Sequence, residues 1–141
     1  MQLNAYLSFD GQCADAFGFY AKVLNGTLDL TRAPAGSPLA DQMPPGWGDR
    51  VLHARLAVGE SVLMGSDCPS GEFRPAQGLQ VNIGVDDEAE AERIFGALSE
   101  GATVQMPLAE TFWARRFGML VDRYGTPWMV NCLKPCTDDA G

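Results

Sequence analysis

Residues 13–26, CADAFGFYAKVLNG, and residues 88–101, EAEAERIFGALSEG, decide the fold, because they carry the same apolar face at the same spacing. In the first, Cys13, Ala16, Phe17, Tyr20, Val23 and Leu24 recur every three or four residues. That spacing stacks them on one side of a helix and leaves Asp15, Gly18 and Lys22 off it. In the second, Ala91, Ile94, Phe95 and Leu98 do the same behind a cap at Asp86 or Asp87. A shift of 75 residues lays Ala16 on Ala91, Tyr20 on Phe95, Val23 on Leu98 and Gly26 on Gly101. Asn25-Gly26 is expected to end the first helix, with glycine in the left-handed conformation, and Gly101 to end the second.

The flanking strands follow one order twice, which is what a duplication predicts. Leu3–Phe9 reads as a strand before the first helix, followed after it by Thr27–Arg32, Arg50–Val58 and Ser61–Ser66. The last two are joined tightly at Gly59-Glu60 as an antiparallel hairpin. Around the second helix the strands are Leu79–Val85, Thr103–Pro107, Glu110–Leu120 and Pro127–Leu133, with a turn at Asp122-Arg123-Tyr124-Gly125. The fold class is therefore α+β, two βαβββ modules forming curved mixed sheets. The first module spans 1–66, a linker 67–78, the second module 79–135, and a solvated tail 136–141. Two such sheets face to face are expected to enclose a half-apolar cleft, where function is sought. The loop Ala33–Gly48, with Pro34, Pro38, Pro44 and Pro45, is expected to lack regular hydrogen bonding. It carries Met43 and an exposed Trp47, and its role is either a lid over the cleft or a crossing to a dimer partner.

Composition narrows the function classes. With 141 residues and 46% apolar content the chain can bury one ordinary core. A net charge of -8 repels a phosphate backbone, so no nucleic-acid partner is expected. No run approaches the roughly 18 apolar residues of a membrane span, and no basic-then-apolar leader opens the chain, so a soluble cytoplasmic protein is expected. Cys13, Cys68, Cys132 and Cys136 include no Cys-x-x-Cys pair and are expected to be reduced, structural thiols.

Ordered segments along almost the whole chain carry a resemblance. They are Leu3-Asn4-Ala5-Tyr6-Leu7-Ser8-Phe9, Phe19-Tyr20-Ala21-Lys22-Val23-Leu24, His53-Ala54-Arg55-Leu56 and Leu63-Met64-Gly65-Ser66-Asp67. In the second half they are Glu110-Thr111-Phe112-Trp113, Arg116-Phe117-Gly118 and Asp122-Arg123-Tyr124-Gly125 with Trp128. In these the sequence resembles the vicinal oxygen chelate superfamily, the glyoxalase, bleomycin-resistance and dioxygenase group, and within it the PhnB-like branch. The resemblance implies paired βαβββ modules, a homodimer, and in catalytic relatives a cleft holding a divalent metal such as zinc, nickel, manganese or iron. It names no reaction, since the fold serves several. The chain has no Gly-rich loop opening a helix after a strand, the usual seat of a nucleotide-like methyl donor, so ubiquinone methylation is not expected.

Metal-dependent relatives hold their ion with His and Glu on strands. Here the corresponding positions hold Asn4 or Tyr6, Asn82, and Met129 or Asn131, and His53 is the only imidazole. The leading expectation is thus a small-molecule-binding protein without the full metal-ligand set and without a cofactor. The alternative is a divalent-metal lyase, isomerase or dioxygenase using His53 and Glu110 as metal ligands or catalytic groups. Without a metal, His53 would serve as a general base or as a hydrogen-bonded structural residue. Glu110 would be a functional carboxylate or would pair with Arg115 or Arg116. Tyr6, Trp113, Phe117, Trp128 and Asn131 are the expected ligand-binding residues, with Phe112 among the aromatics able to stack on a planar ligand. On the last strand Trp128, Val130 and Cys132 share one face, Met129 and Asn131 the other. Uncovered sheet edges add to the expectation of a homodimer.

Overall fold

Apolar alternation decides which side of each strand meets a helix. The protein is described here by a computed structural model covering residues 1–134; the tail expected at 136–141, and Cys136 with it, lies outside the described residues. The chain divides into two units, the first ending at Pro75 and the second beginning at Ala76, inside the stretch read as a linker.

The first unit comprises β1 (Tyr6–Phe9), α1 (Cys13–Leu24), β2 (Thr27–Arg32), α2 (Pro38–Asp41), β3 (Val51–Val58) and β4 (Ser61–Asp67). Its sheet runs β1-β4-β3-β2, with β1 parallel to β4 and the other pairs antiparallel. The second unit comprises β5 (Val81–Val85), α3 (Glu88–Leu98), β6 (Thr103–Ala109), β7 (Ala114–Val121) and β8 (Pro127–Leu133). It repeats the pattern as β5-β8-β7-β6, with β5 parallel to β8. The two βαβββ modules read from the helices are therefore present. β1 and β5 begin 75 residues apart, at Tyr6 and Val81, and so do α1 and α3, at Cys13 and Glu88.

In the first unit α1 packs on β2, β3 and β4. Cys13, Ala16, Phe17, Tyr20 and Val23 meet Leu7, Phe9, Ala54, Leu56 and Leu63, and all of these are buried. In the second, Ala91, Ile94, Phe95 and Leu98 lie over Leu120, Trp128, Val130 and Cys132. Each fully buried large apolar side chain is worth about 1.5–3 kcal/mol, so these two helix-facing layers are what make each module fold. Gly65 and Gly118 let the helices approach. A Cβ on Gly65 would lie 2.7 Å from the Phe17 ring, and one on Gly118 2.7 Å from the Phe95 ring.

Each unit is also held by one buried carboxylate. Asp67, at the end of β4, accepts from the Gly11 and Cys13 amides through Oδ1 and from the Val51 amide through Oδ2. It therefore caps α1 from a distant strand, where the N-cap Gln12 makes no side-chain cap. Asp122 accepts from the Tyr124 and Thr126 amides and from the Trp128 indole N–H, closing the β7–β8 turn.

Several expectations are corrected. β1 starts at Tyr6, not Leu3. The Pro-rich loop contains one helical turn, α2, because Pro38 sits at its first position, where a missing amide costs nothing, and Ser37 accepts from the Ala40 amide. Trp47 is buried rather than exposed. Asn25, with φ 55°, takes the left-handed position at the end of α1, while Gly26 is needed because a Cβ there would lie 2.7 Å from Leu56 and 2.8 Å from the Ala57 carbonyl. β6 runs to Ala109 and β7 begins at Ala114, so Glu110 lies in the turn between them and not on a strand.

Candidate functional site

Each helix covers one face of its sheet, and the residues singled out from sequence fall mainly on the other, helix-free faces. In the first unit the ladders place Tyr6 beside Met64, Ser8 beside Ser66, Arg55 opposite both Met64 and Asp29, and His53 opposite Thr31. β3 takes two steps from His53 to Val51 against one on β2, so Leu52 is the extra residue of a bulge. His53, in register before the bulge, meets Tyr6: its Nδ1 lies 3.2 Å from the Tyr6 hydroxyl, and the rings are 5.8 Å apart. Two residues further along β3, the exposed Arg55 makes no hydrogen bond or ion pair within the described residues.

In the second unit the helix-free face is apolar. Phe117 is opposite Asn131, Met119 opposite Met129, and Asn82 beside Met129. Trp113 stands edge-on to Phe117 with centroids 5.3 Å apart, and Phe112, 87% exposed, stands edge-on to Trp113 at 4.8 Å. The Asn131 Nδ2 donates to the Asn82 Oδ1 at 2.7 Å, while the Asn131 Oδ1 is buried with no partner among the described residues. A buried acceptor without a donor costs about 1–3 kcal/mol and calls for an explanation.

The expected site residues fall in both units. Tyr6 and His53 are brought together in the first unit; Trp113, Phe117 and Asn131 share the second. Trp128 belongs to neither face: it is fully buried on the helix side with its indole N–H on Asp122, so it is a core residue. Glu110 is two-thirds exposed and pairs with Lys134 at 3.3 Å. The arginines considered for it serve the start of α3 instead, Arg115 reaching the Asp86 carbonyl and Arg116 the Glu88 carboxylate. Sequence reading missed Arg55 and Asp67; the signal for Asp67 was its place in the alternation Leu63, Gly65, Asp67, which turns it inward.

A divalent ion of the kind the superfamily resemblance brings finds no fitting donor set. His53 is engaged through Nδ1 by Tyr6, Glu110 pairs with Lys134, and among the described residues no three His, Cys, Asp or Glu side chains gather as ligands. Of the free cysteines, Cys13 and Cys132 are buried in the helix-facing layers. Burial and the nearby Asp67 carboxylate push the Cys13 thiol up to about 12, which keeps it protonated and inert.

The fold is shared with solved structures. A glyoxylase/bleomycin resistance protein/dioxygenase domain from Frankia sp. EAN1pec superposes with a TM-score of 0.61 at 13% identity, covering 94% of this chain and 95% of its own. A family described as 3-demethylubiquinone-9 3-methyltransferase matches residues 1–131, and the chain belongs to that family, the PhnB-like branch. The crystal structure of protein PA1353 from Pseudomonas aeruginosa is similar at a TM-score of 0.85 and 46% identity, over 96% of this chain and 99% of that one. Protein YjdN of Escherichia coli strain K12 is 32% identical over 145 residues, 95% of this chain and 97% of its own. A putative 3-demethylubiquinone-9 3-methyltransferase, PhnB protein, from Bacillus cereus shares the fold at a TM-score of 0.77 and 22% identity, over 93% of this chain and 98% of that one. No helix among the described residues is long and apolar enough to cross a membrane.

Proposed function

We propose that the protein binds a small, largely apolar molecule bearing a hydrogen-bond donor, on the helix-free face of its second unit and without a resident metal. The observation that carries this is the buried, unpartnered Oδ1 of Asn131 beside Phe117, Met119 and Met129. The exposed Trp113, seated on the buried Phe117, and the half-buried thioethers Met119 and Met129 can stack on a planar ligand, and the Asn131 acceptor would orient one N–H or O–H. Such a protein acts by sequestration, as a resistance-type binder, in the cytoplasm and as a homodimer that covers its sheet edges. Methyl transfer, the activity in the family's description, draws no support from the turns that open the long helices. Asp10-Gly11-Gln12 before α1 and Asp86-Asp87 before α3 are not Gly-rich phosphate loops.

The test is ligand-observed NMR with a set of aromatic amides and phenols, on the full chain and on Phe117→Ala and Asn131→Leu. Saturable binding weakened at least tenfold by Phe117→Ala, and lost for the donor-bearing members in Asn131→Leu, supports the reading. Binding indifferent to both changes overturns it. Sedimentation at micromolar concentration tests the dimer, and a monomeric mass contradicts it.

A further inference from the structure

We infer that the helix-free face of the first unit carries a second site, for an oxyanion of the carboxylate class, in which Arg55 and His53 donate and Tyr6 positions the imidazole. This site rests on the first unit alone and is independent of the reading given for the second.

Three observations lead to it. The first is the Tyr6–His53 contact, which spans β4 to join β1 and β3 at 3.2 Å. A phenol O–H is a better donor than an imidazole N–H, and an imidazole nitrogen a better acceptor than a phenol oxygen, so Tyr6 donates to Nδ1. The ring proton then sits on Nε2, and His53 presents a donor rather than a lone pair.

The second is Arg55. Every other arginine of the chain has a partner: Arg32 the Asp49 carbonyl, Arg50 Asp10, Arg74 the Phe73 carbonyl, Arg93 Glu90, Arg115 the Asp86 carbonyl, Arg116 Glu88 and Arg123 Glu100. Arg55 has none among the described residues, although Asp29 stands opposite it on the ladder and the chain carries 18 acidic residues. A cross-strand pair of opposite charges ordinarily closes; this one stays open, and the guanidinium fork remains free on the face where His53 points its donor.

The third is the comparison within the molecule. Aligning the ladders of the two units lays Leu7 on Ile83, Ala54 on Gly118 and Gly65 on Val130. The second unit then holds Asn82, Phe117 and Met119 where the first holds Tyr6, His53 and Arg55. The fold builds the same sheet without the polar trio, so the trio is not there for folding. Arg55, a planar fork, and His53 lie two residues apart on one face of β3, and two such donors match the two oxygens of a carboxylate.

The experiment follows imidazole and guanidinium nitrogens by NMR while benzoate, inorganic phosphate or sodium chloride is added to the full chain at matched ionic strength. Benzoate is expected to shift the His53 Nε2 and Arg55 Nε signals saturably. Arg55→Gln is expected to weaken this at least tenfold, and Asp29→Asn to tighten it. In Tyr6→Phe the two His53 nitrogens should lose their fixed inequality, a change that a merely structural tyrosine would not produce. Phosphate saturating more tightly than benzoate overturns the carboxylate assignment. A response equal to that of chloride, or unchanged in Arg55→Gln, overturns the site. The amide spectrum of each variant establishes that it is folded.

Discussion

The two units share strand order and helix placement, each carries a buried aspartate at a position of its own, and they differ on the face their helices leave bare. The first shows Tyr6, His53, Arg55 and Asp29; the second shows Phe117, Met119, Met129 and the Asn82–Asn131 pair. On the helix side both units are largely apolar, because burial under a helix allows little else, although size is exchanged between strands: Ala54 stands where Gly118 does and Gly65 where Val130 does. On the bare side the ladder imposes only alternation, so each unit is free to present different chemistry. What the duplication preserves is the core, and what it diversifies is recognition.

The largest expected effect tests the preserved half of that comparison. Asp67→Ala leaves the Gly11, Cys13 and Val51 amides without their acceptor, and each buried unsatisfied donor costs about 1–3 kcal/mol, so a loss of about 3 kcal/mol or more is expected in urea denaturation. Asp122→Ala also frees three donors, the Tyr124 and Thr126 amides and the Trp128 indole N–H, but all lie within six residues of it in sequence, so a smaller loss is expected. Equal losses would break the idea that Asp67, joining three segments distant in sequence, is the stronger staple.

Next comes the packing of the helices. Gly65→Ala puts a methyl 2.6 Å from the Leu7 carbonyl and 2.7 Å from Phe17, and Gly118→Ala one 2.7 Å from Phe95 and 3.0 Å from the Leu108 backbone. Overpacking of this kind costs about 1–3 kcal/mol, and Gly65 should be the worse because its nearest neighbour is backbone that cannot rotate away. Thermal unfolding of the two variants gives the order directly.

A smaller effect tests the diversified half. His53→Phe places on β3 the residue that the second unit carries at the equivalent position. If the bare faces are free of folding constraint, stability should change by less than about 1 kcal/mol while the oxyanion response disappears. A large destabilisation would return His53 to a structural role and end the argument from internal comparison.

The sequence made some of this readable and hid the rest for physical reasons. Helical periodicity exposed the repeat because Ala16, Tyr20 and Val23 recur as Ala91, Phe95 and Leu98, and a turn every 3.6 residues leaves that mark locally. The Tyr6–His53 contact is not local: it depends on β4 inserting between β1 and β3, which periodicity does not encode. Glu110 looked strand-bound because Leu108 and Ala109 before it and Phe112 and Trp113 after it are apolar, yet those aromatics cluster on one another in the turn. Trp128 shares its strand face with Val130 and Cys132, and that alternation is the signal that puts it on the core side.

The smallest effect at neutral pH belongs to Cys13, and it resolves the two units from each other. Its thiol is pushed up to about 12 in the folded protein, whereas an exposed cysteine titrates near about 8.5. A raised value in the folded state means that the stabilisation is whole below about pH 8.5 and is lost as pH climbs toward the folded value, because the unfolded chain releases the proton first. The stability difference between the protein and Cys13→Ala should therefore be flat from pH 6 to 8 and shrink above about 9. Cys132, equally buried in the second unit, supplies the internal control for thiol labelling in a background with Cys68 and Cys136 changed to serine. At neutral pH each buried thiol reacts only when its own unit opens, so Asp67→Ala should accelerate labelling of Cys13 far more than of Cys132. Equal acceleration would show that the two modules, alike in plan, unfold as one.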